Sequence, residues 1–141
     1  MKVKIANTKQ EKDHAFQLRT TVFIHEQNVP PEEEIDSFDK EAIHFIGYND
    51  DVPVAASRLR FVEKYGKLER ICVLKEQRGK GYGKQLIQAM EKEILKNGYK
   101  KAKLNAQTHA TEFYEQLGYK IISEEFMDAG IPHVTMVNDL K

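Results

Sequence analysis

The apolar and polar positions of the chain change period several times, and each change marks an element. Residues 2–6 alternate, as a half-buried strand does. Thr8 followed by Glu11 is a capping box, and Ala15, Leu18 and Val22 then recur at helical spacing, so a helix is predicted over 9–23. Pro30-Pro31 opens a loop. Residues 42–48 and 52–61 alternate like strands joined by the turn residues Asn49-Asp50-Asp51, and Tyr65-Gly66 turns the chain into a third strand over 67–74. The main helix carries Leu86, Ile87, Met90, Ile94 and Leu95 as one apolar stripe, and Gly98 stops it. A strand at 101–105, a short helix around 110–117 and strands at 119–123 and 132–139 complete the chain. The order β-α-loop-β-β-β-α-β-α-β-β puts an antiparallel meander before a β-α-β crossover. That order calls for an α/β (α+β) architecture, a mixed sheet with helices on its faces.

Where the third strand meets the main helix, the sequence reads Gln77-Arg-Gly-Lys-Gly-Tyr-Gly-Lys84. Glycines at alternate positions let the backbone turn tightly and approach a ligand without side chains in the way. The first N–H groups of a helix lack partners within it, and its dipole puts partial positive charge at that end, so phosphate binds there readily. Lys75, Arg78, Lys80 and Lys84 surround the turn with positive charge, against a lone Glu76. The spacing is neither a P-loop, which needs Ser or Thr after its Lys, nor the G-x-G-x-x-G dinucleotide fingerprint.

Composition narrows the classes. At 141 residues the chain has the length of a single domain with one core. Its 22 basic and 22 acidic side chains cancel, so it lacks the basic excess of a nucleic-acid binder. No apolar stretch approaches the ~20 residues of a membrane span, and Met-Lys-Val-Lys-Ile has no apolar signal core. One cysteine forms no internal disulfide, and the expected compartment is the cytoplasm. Glu32, Glu33, Glu34, Asp36, Asp39 and Glu41 form an acidic stretch. It reads either as a solvated loop or as a rim that draws in a cationic amine.

Two motifs carry a family resemblance. Arg78-x-x-Gly81-x-Gly83 resembles the acyl-CoA pyrophosphate loop of the GNAT N-acetyltransferases. Leu104-Asn-Ala-Gln-Thr-His-Ala-Thr-Glu-Phe-Tyr-Glu-Gln-Leu-Gly-Tyr119 is similar to the later GNAT motif A-x-x-F/L-Y-x-x-x-G-F/Y, with Ala110, Phe113, Tyr114, Gly118 and Tyr119 on its positions. Gln107 departs from the Asn the family often has seven residues before the tyrosine. The segments Arg19–Pro30 and Asp128–His133 look like the small bacterial ElaA/YjcF-type members. The resemblance implies a GNAT fold whose two central parallel strands splay apart around pantetheine. The backbones of Ile71, Cys72 and Val73 would pair with its amides. Arg78, Gly79, Lys80, Gly81, Tyr82, Gly83 and Lys84 would hold the phosphates of acetyl-CoA, the acyl donor.

Acetyl transfer to an amine needs a neutral amine, a stabilised carbonyl oxygen and a proton for the departing thiolate. Tyr114 matches the family tyrosine that acts as the acid beside the sulfur, although Phe113 and Tyr114 also read as core aromatics. Glu69 occupies a position where relatives often carry the base; a salt-bridged glutamate beside Arg70 explains it equally, and Glu26 is the competing carboxylate. His44 and His133 are further candidates to face the amine, since imidazole titrates near working pH. Cys72 in an apolar strand reads as an inert buried thiol. No His, Cys and Asp grouping has metal-ligand spacing.

The sequence thus leads to direct acetyl transfer from acetyl-CoA to a primary amine, first of a small molecule, second of a protein N-terminus or lysine. A CoA-binding sensor without turnover and a nucleotide-binding loop are the alternatives. Nucleic acid, membrane and metal are not expected partners. A homodimer is compatible with the sequence, which does not fix the oligomeric state.

Overall fold

The computed structural model describes residues 1–141. Its elements are β1 (Lys2–Ile5), α1 (Lys9–Arg19), α2 (Pro31–Glu34), β2 (Ile43–Asn49), β3 (Val52–Val62), β4 (Tyr65–Val73), α3 (Tyr82–Lys96), β5 (Lys101–Gln107), α4 (Thr111–Gln116), β6 (Lys120–Ile121), β7 (Phe126–Asp128) and β8 (Ile131–Asp139). The eight strands form one mixed sheet in the order β1-β2-β3-β4-β5-β8-β6, with β7 also on β8. Only β4 and β5 pair in parallel, and α3 is the crossover that joins them.

Local chemistry explains where the elements begin and end. The Thr8–Glu11 capping box starts α1. The predicted helix does not stop at residue 23: the chain continues from Thr20 to Glu26 as a wider π-type helix, through a β-branched run that packs poorly in a tight α-turn. Pro31 does more than open a loop. It stands at the first position of α2, where a missing N–H costs nothing. Asp50 and Asp51, with φ of 47° and 66°, close the β2–β3 hairpin as a primed turn.

Three expectations are corrected. The β3–β4 turn falls on Glu63-Lys64, since Val62 pairs with Tyr65, and not on Tyr65-Gly66. Gly66 lies inside β4, where a Cβ would stand 2.3 Å from Cγ1 of Ile94; it lets α3 approach the sheet. On α3, Leu95 is 37% exposed while Leu86, Ile87, Met90 and Ile94 are buried. Nine residues past Leu86 is half a turn round an α-helix, so Leu95 faces away from the stripe. The strand expected at 119–123 shortens to β6. β7 was not anticipated; it forms a hairpin with β8 across Ala129-Gly130, both at positive φ.

The faces of the sheet are covered differently. α3 packs its four buried residues into a cluster of 15 with Phe45, Leu59, Leu68 and Leu104. Each such side chain removed from water contributes about 1.5–3 kcal/mol. Ile46, next to Phe45 and so on the other face, joins Ala56, Cys72 and residues Ala15, Leu18 and Val22 of the helical segment in a smaller cluster of 7. Beside that cluster the interior is charged: Arg19, Glu34 and Arg58 are each 1% exposed or less.

The break in the sheet positions the site. Parallel pairing of β4 with β5 runs from Tyr65↔Lys101 to Leu68↔Leu104 and stops. Beyond it each strand keeps only its outer neighbour, β3 for β4 and β8 for β5. A bulge at the same point bends β4: Arg58 faces Glu69 and Ala56 faces Cys72, so Ser57 alone opposes Arg70 and Ile71. Arg70 takes the left-handed conformation there, with φ of 55°. The strain is offset by hydrogen bonds from its guanidinium to the carbonyls of Glu33 and Glu34, at 3.2 and 3.0 Å.

Candidate active site

One end of the gap is the glycine turn. Gly79 and Gly81 sit at φ of 80° and 81° with open space where a Cβ would be, so conformation, not crowding, requires glycine. Gly83 is different: it is helical, and a Cβ would make ordinary contact with Phe113 at 3.6 Å. The first bond of α3 runs from Gln85 N–H to the Gly81 carbonyl at 3.1 Å, and no side chain caps the helix. The N–H groups of Tyr82, Gly83 and Lys84 are therefore free for an anion at the positive end of a 15-residue helix.

The side chains around the turn are arranged less simply. Lys84 is exposed, and Lys80 Nζ rests on Gln77 Oε1 at 3.1 Å. The Tyr82 hydroxyl accepts a hydrogen bond from Asn49 Nδ2 at 2.7 Å, which ties the start of α3 to the β2–β3 hairpin. Arg78 makes a two-pronged pair with Glu26, at 2.6 and 2.7 Å, and its Nε donates to the Val73 carbonyl at 3.0 Å. Glu26 is thus placed at the glycine turn, because the π-type extension of α1 carries it there. The hydrogen bond from Arg78 holds its carboxyl below the ordinary range.

Past the turn the gap widens into a cavity of about 310 Å³ between β4, β5, α2, α4 and the β7–β8 hairpin. Ile71 lines it, along the stretch of β4 that has no partner from β5. Cys72 packs instead in the cluster under α1, where burial pushes its thiol up to about 12, the environment of an inert group. Gln107 lines the cavity, donates to Gln27 at 3.1 Å and accepts from His109 at 2.6 Å.

Tyr114 lies in the cavity wall. Its ring meets Phe113 and Tyr119 edge-on, and its hydroxyl has no hydrogen-bond partner in the chain. Burial raises the phenol to about 12, so it stays protonated at neutral pH and keeps a proton to give. Tyr119, by contrast, spends its hydroxyl on Glu91 at 2.7 Å.

Glu69 does not have the character of a base. Arg58 and Arg60 reach its Oε1 at 2.6 and 2.8 Å, and Lys67 reaches Oε2 at 3.0 Å. Burial alone would raise its pKa, but the hydrogen bond from Arg60 and the charges of Arg58 and Lys67 outweigh that and hold it at about 2. A carboxylate so held has little affinity for a proton from an ammonium. Glu69 belongs to an ionic knot in which Arg19 grips Glu34 and Asp39, Arg58 grips Asp36, Asp39 and Glu69, and Arg70 reaches Glu34 and Asp36.

The knot also settles the acidic stretch. Glu34, Asp36 and Asp39 turn inward as partners of arginines, Glu32 and Glu41 are exposed, and Glu33 is exposed on the cavity edge. His44 joins the knot: its Nε2 donates to the Asp39 carbonyl at 2.8 Å, its ring packs on Phe16, and burial lowers its pKa. It lines no part of the cavity. His133 does line it, 8% exposed, and its Nδ1 donates to the Ile131 carbonyl at 2.7 Å. Gln27, Glu33, Lys67, Arg70, Asn105 and Asp128 add further polar groups to the lining; they are scattered along the chain, and only the fold brings them together. No three His, Cys, Asp or Glu side chains gather as for a metal ion. No helix is long and apolar enough to cross a membrane.

Residues 6–140 match the family model of an acetyltransferase (GNAT) domain. YjcF of Bacillus subtilis (strain 168), an uncharacterized N-acetyltransferase, is 48% identical over 140 residues, which is 99% of this chain and 100% of YjcF. Escherichia coli ElaA superposes with a TM-score of 0.85 at 26% identity, covering 98% of this chain and 99% of ElaA. A GNAT family acetyltransferase from Elizabethkingia anophelis, solved with acetyl-CoA bound, superposes with a TM-score of 0.75 over 99% of this chain and 97% of its own. At 15% identity that last likeness is one of fold alone.

Proposed function

The chain belongs to the GNAT acetyltransferase family, and on that premise we propose that it moves an acetyl group from acetyl-CoA directly to a primary amine of a small molecule. The observation that carries this reading is the opening of the β4–β5 pair after Leu68↔Leu104, with an uncapped helix start at one end and Tyr114 in the wall of the cavity. Bound acetyl-CoA would supply an acyl group activated as a thioester.

The residues present suit that donor. The β5-facing edge of β4 along Ile71, Cys72 and Val73 has lost its strand partner, and backbone groups left unpaired seek new ones. Pantetheine amides are of the right kind. Phosphates fit the N–H groups of Tyr82, Gly83 and Lys84, with Gly79 and Gly81 shaping the turn and Lys80, Lys84 and Arg78 near it. Arg78 has to exchange Glu26 for phosphate, a modest cost because exposed ion pairs contribute about 0–1 kcal/mol. The Tyr114 hydroxyl holds the proton for the departing sulfur. A cavity of about 310 Å³ is at the small end for ligand sites, which favours a compact amine over a polypeptide segment.

Incubating the protein with acetyl-CoA and a panel of small amines, with lysine peptides alongside, tests this by free-thiol release. The reading expects release that depends on a small amine. Release with peptides alone would move the acceptor to protein. Tight CoA binding with no amine-dependent release would make the protein a CoA sensor.

A further inference from the structure

An acceptor amine arrives as an ammonium and must lose a proton before its nitrogen can attack. Two of the carboxylates at the cavity are already engaged or closed off, and the other two, Glu33 and Asp128, lie exposed at its edge. Glu69 is clasped by Arg58, Arg60 and Lys67. Glu34 gives Oε1 to Arg19 at 2.7 Å, and its Oε2 is sealed within the protein without a partner. His44 faces the knot.

His133 is placed otherwise. The Ile131 carbonyl 2.7 Å from Nδ1 can only accept, so Nδ1 carries the hydrogen. In the neutral ring Nε2 then holds the lone pair. That nitrogen bonds to nothing in the chain, yet it is not among the buried polar atoms closed off from solvent. The ring stacks on Phe126 at 6.0 Å and 24°, which fixes its plane. His133 pairs across the sheet with Gln107, and both line the same cavity as Tyr114. The charged groups sharing that cavity are Glu33 and Glu34 from α2, Lys67, Glu69 and Arg70 from β4, and Asp128 from β7.

We propose that His133 Nε2 is the proton acceptor for the incoming amine, an inference that rests on the acetyl-transfer reading above. One ammonium proton passes to Nε2 and from there to water. The nitrogen lone pair forms the C–N bond as the C–S bond breaks and its electron pair leaves on sulfur. Tyr114 gives its hydroxyl proton to that sulfur and regains one, through solvent, from the second N–H of the amine. The nitrogen ends with one hydrogen, the sulfur with one, and the net release is one proton.

The test uses the full chain with H133Q and H133A. The expected result for H133Q is a kcat/KM lower by roughly 10²–10⁴-fold, with the acid limb of the wild-type pH profile gone. CoA affinity by calorimetry should stay within about twofold, and added imidazole should restore part of the H133A rate. Separately, ¹⁵N shifts of the wild-type ring, read without any substrate, should show hydrogen on Nδ1 and a lone pair on Nε2. A wild-type rate and pH profile in H133Q would overturn the proposal and leave the acetyltransferase reading standing. Hydrogen on Nε2 in the neutral ring would overturn it independently, including where the variants fold poorly. A wild-type protein that releases no thiol with any amine would overturn both.

Discussion

The faces of this sheet solve the same problem in opposite ways. Under α3 the interior is apolar, a cluster of 15 buried side chains with helical periodicity behind it. Under α1 an apolar patch of 7 shares the space with a knot of arginines and carboxylates. Apolar packing is non-directional and supplies stability. Buried ion pairs contribute little net stability against an apolar alternative but are costly to leave half-made, and their hydrogen bonds are directional. The α1 face uses that directionality to hold α2 and the bulge of β4 against one another, and those two elements wall the cavity. One face stabilises the sheet, and the other shapes the site.

Removing one member of the knot is the most severe way to break this contrast. Arg58→Ala takes away the buried cation that Asp36, Asp39 and Glu69 share and leaves them to Arg70, Arg19, Arg60 and Lys67, and the expected loss is about 3–5 kcal/mol in urea unfolding. If the loss were under about 1 kcal/mol, the knot would be a surface network in effect. The matching insult on the apolar face is Gly66→Ala, whose Cβ would press on Ile94 from 2.3 Å. Overpacking of that kind costs typically 1–3 kcal/mol, and here the cost should not change with pH.

Acid separates the faces more gently. Burial would raise the pKa values of Asp39 and Glu69, but Arg19 holds Asp39 at about 2 and the surrounding cations hold Glu69 at about 2, against unfolded values of 3.8 and 4.5. Between those limits the unfolded chain binds more protons than the folded one, so stability rises with pH there. The contribution is complete above about pH 5 and is lost as pH falls from about 4.5 towards 2. Melting temperatures over that range should fall more steeply in Gly66→Ala and wild type than in Arg58→Ala, which has already lost part of the knot. Parallel curves would contradict the assignment.

The contrast also marks what the sequence made legible. The α3 face followed from its own periodicity, and the capping box at Thr8 and the glycine turn before α3 were local patterns that needed no tertiary knowledge. The knot depends on register. A turn at Tyr65-Gly66 would set Arg58 opposite Val73, whereas the actual turn at Glu63-Lys64 sets it opposite Glu69. That two-residue displacement hid the partners of Glu69: its neighbour Arg70 was the visible candidate, whereas Arg58, Arg60 and Lys67 hold it. Nothing in the run Thr20–Glu26 signals a wider helix, so the place of Glu26 against Arg78 was not legible in the sequence. His44 and His133 looked alike as lone strand histidines, and only the sheet order puts one in the knot and the other at the cavity.

On the proposed function, the splayed stretch of β4 and the start of α3 form one acyl-donor site. Backbone amide shifts recorded during a CoA titration of the wild-type protein address it directly. The largest changes should fall on residues 71–73 and 79–84, Gly81→Val should weaken binding at least tenfold (about 1.4 kcal/mol) without unfolding the chain, and the β1–α3 surface should stay unchanged. Changes centred away from the gap, or equal CoA affinity in Gly81→Val, would contradict it.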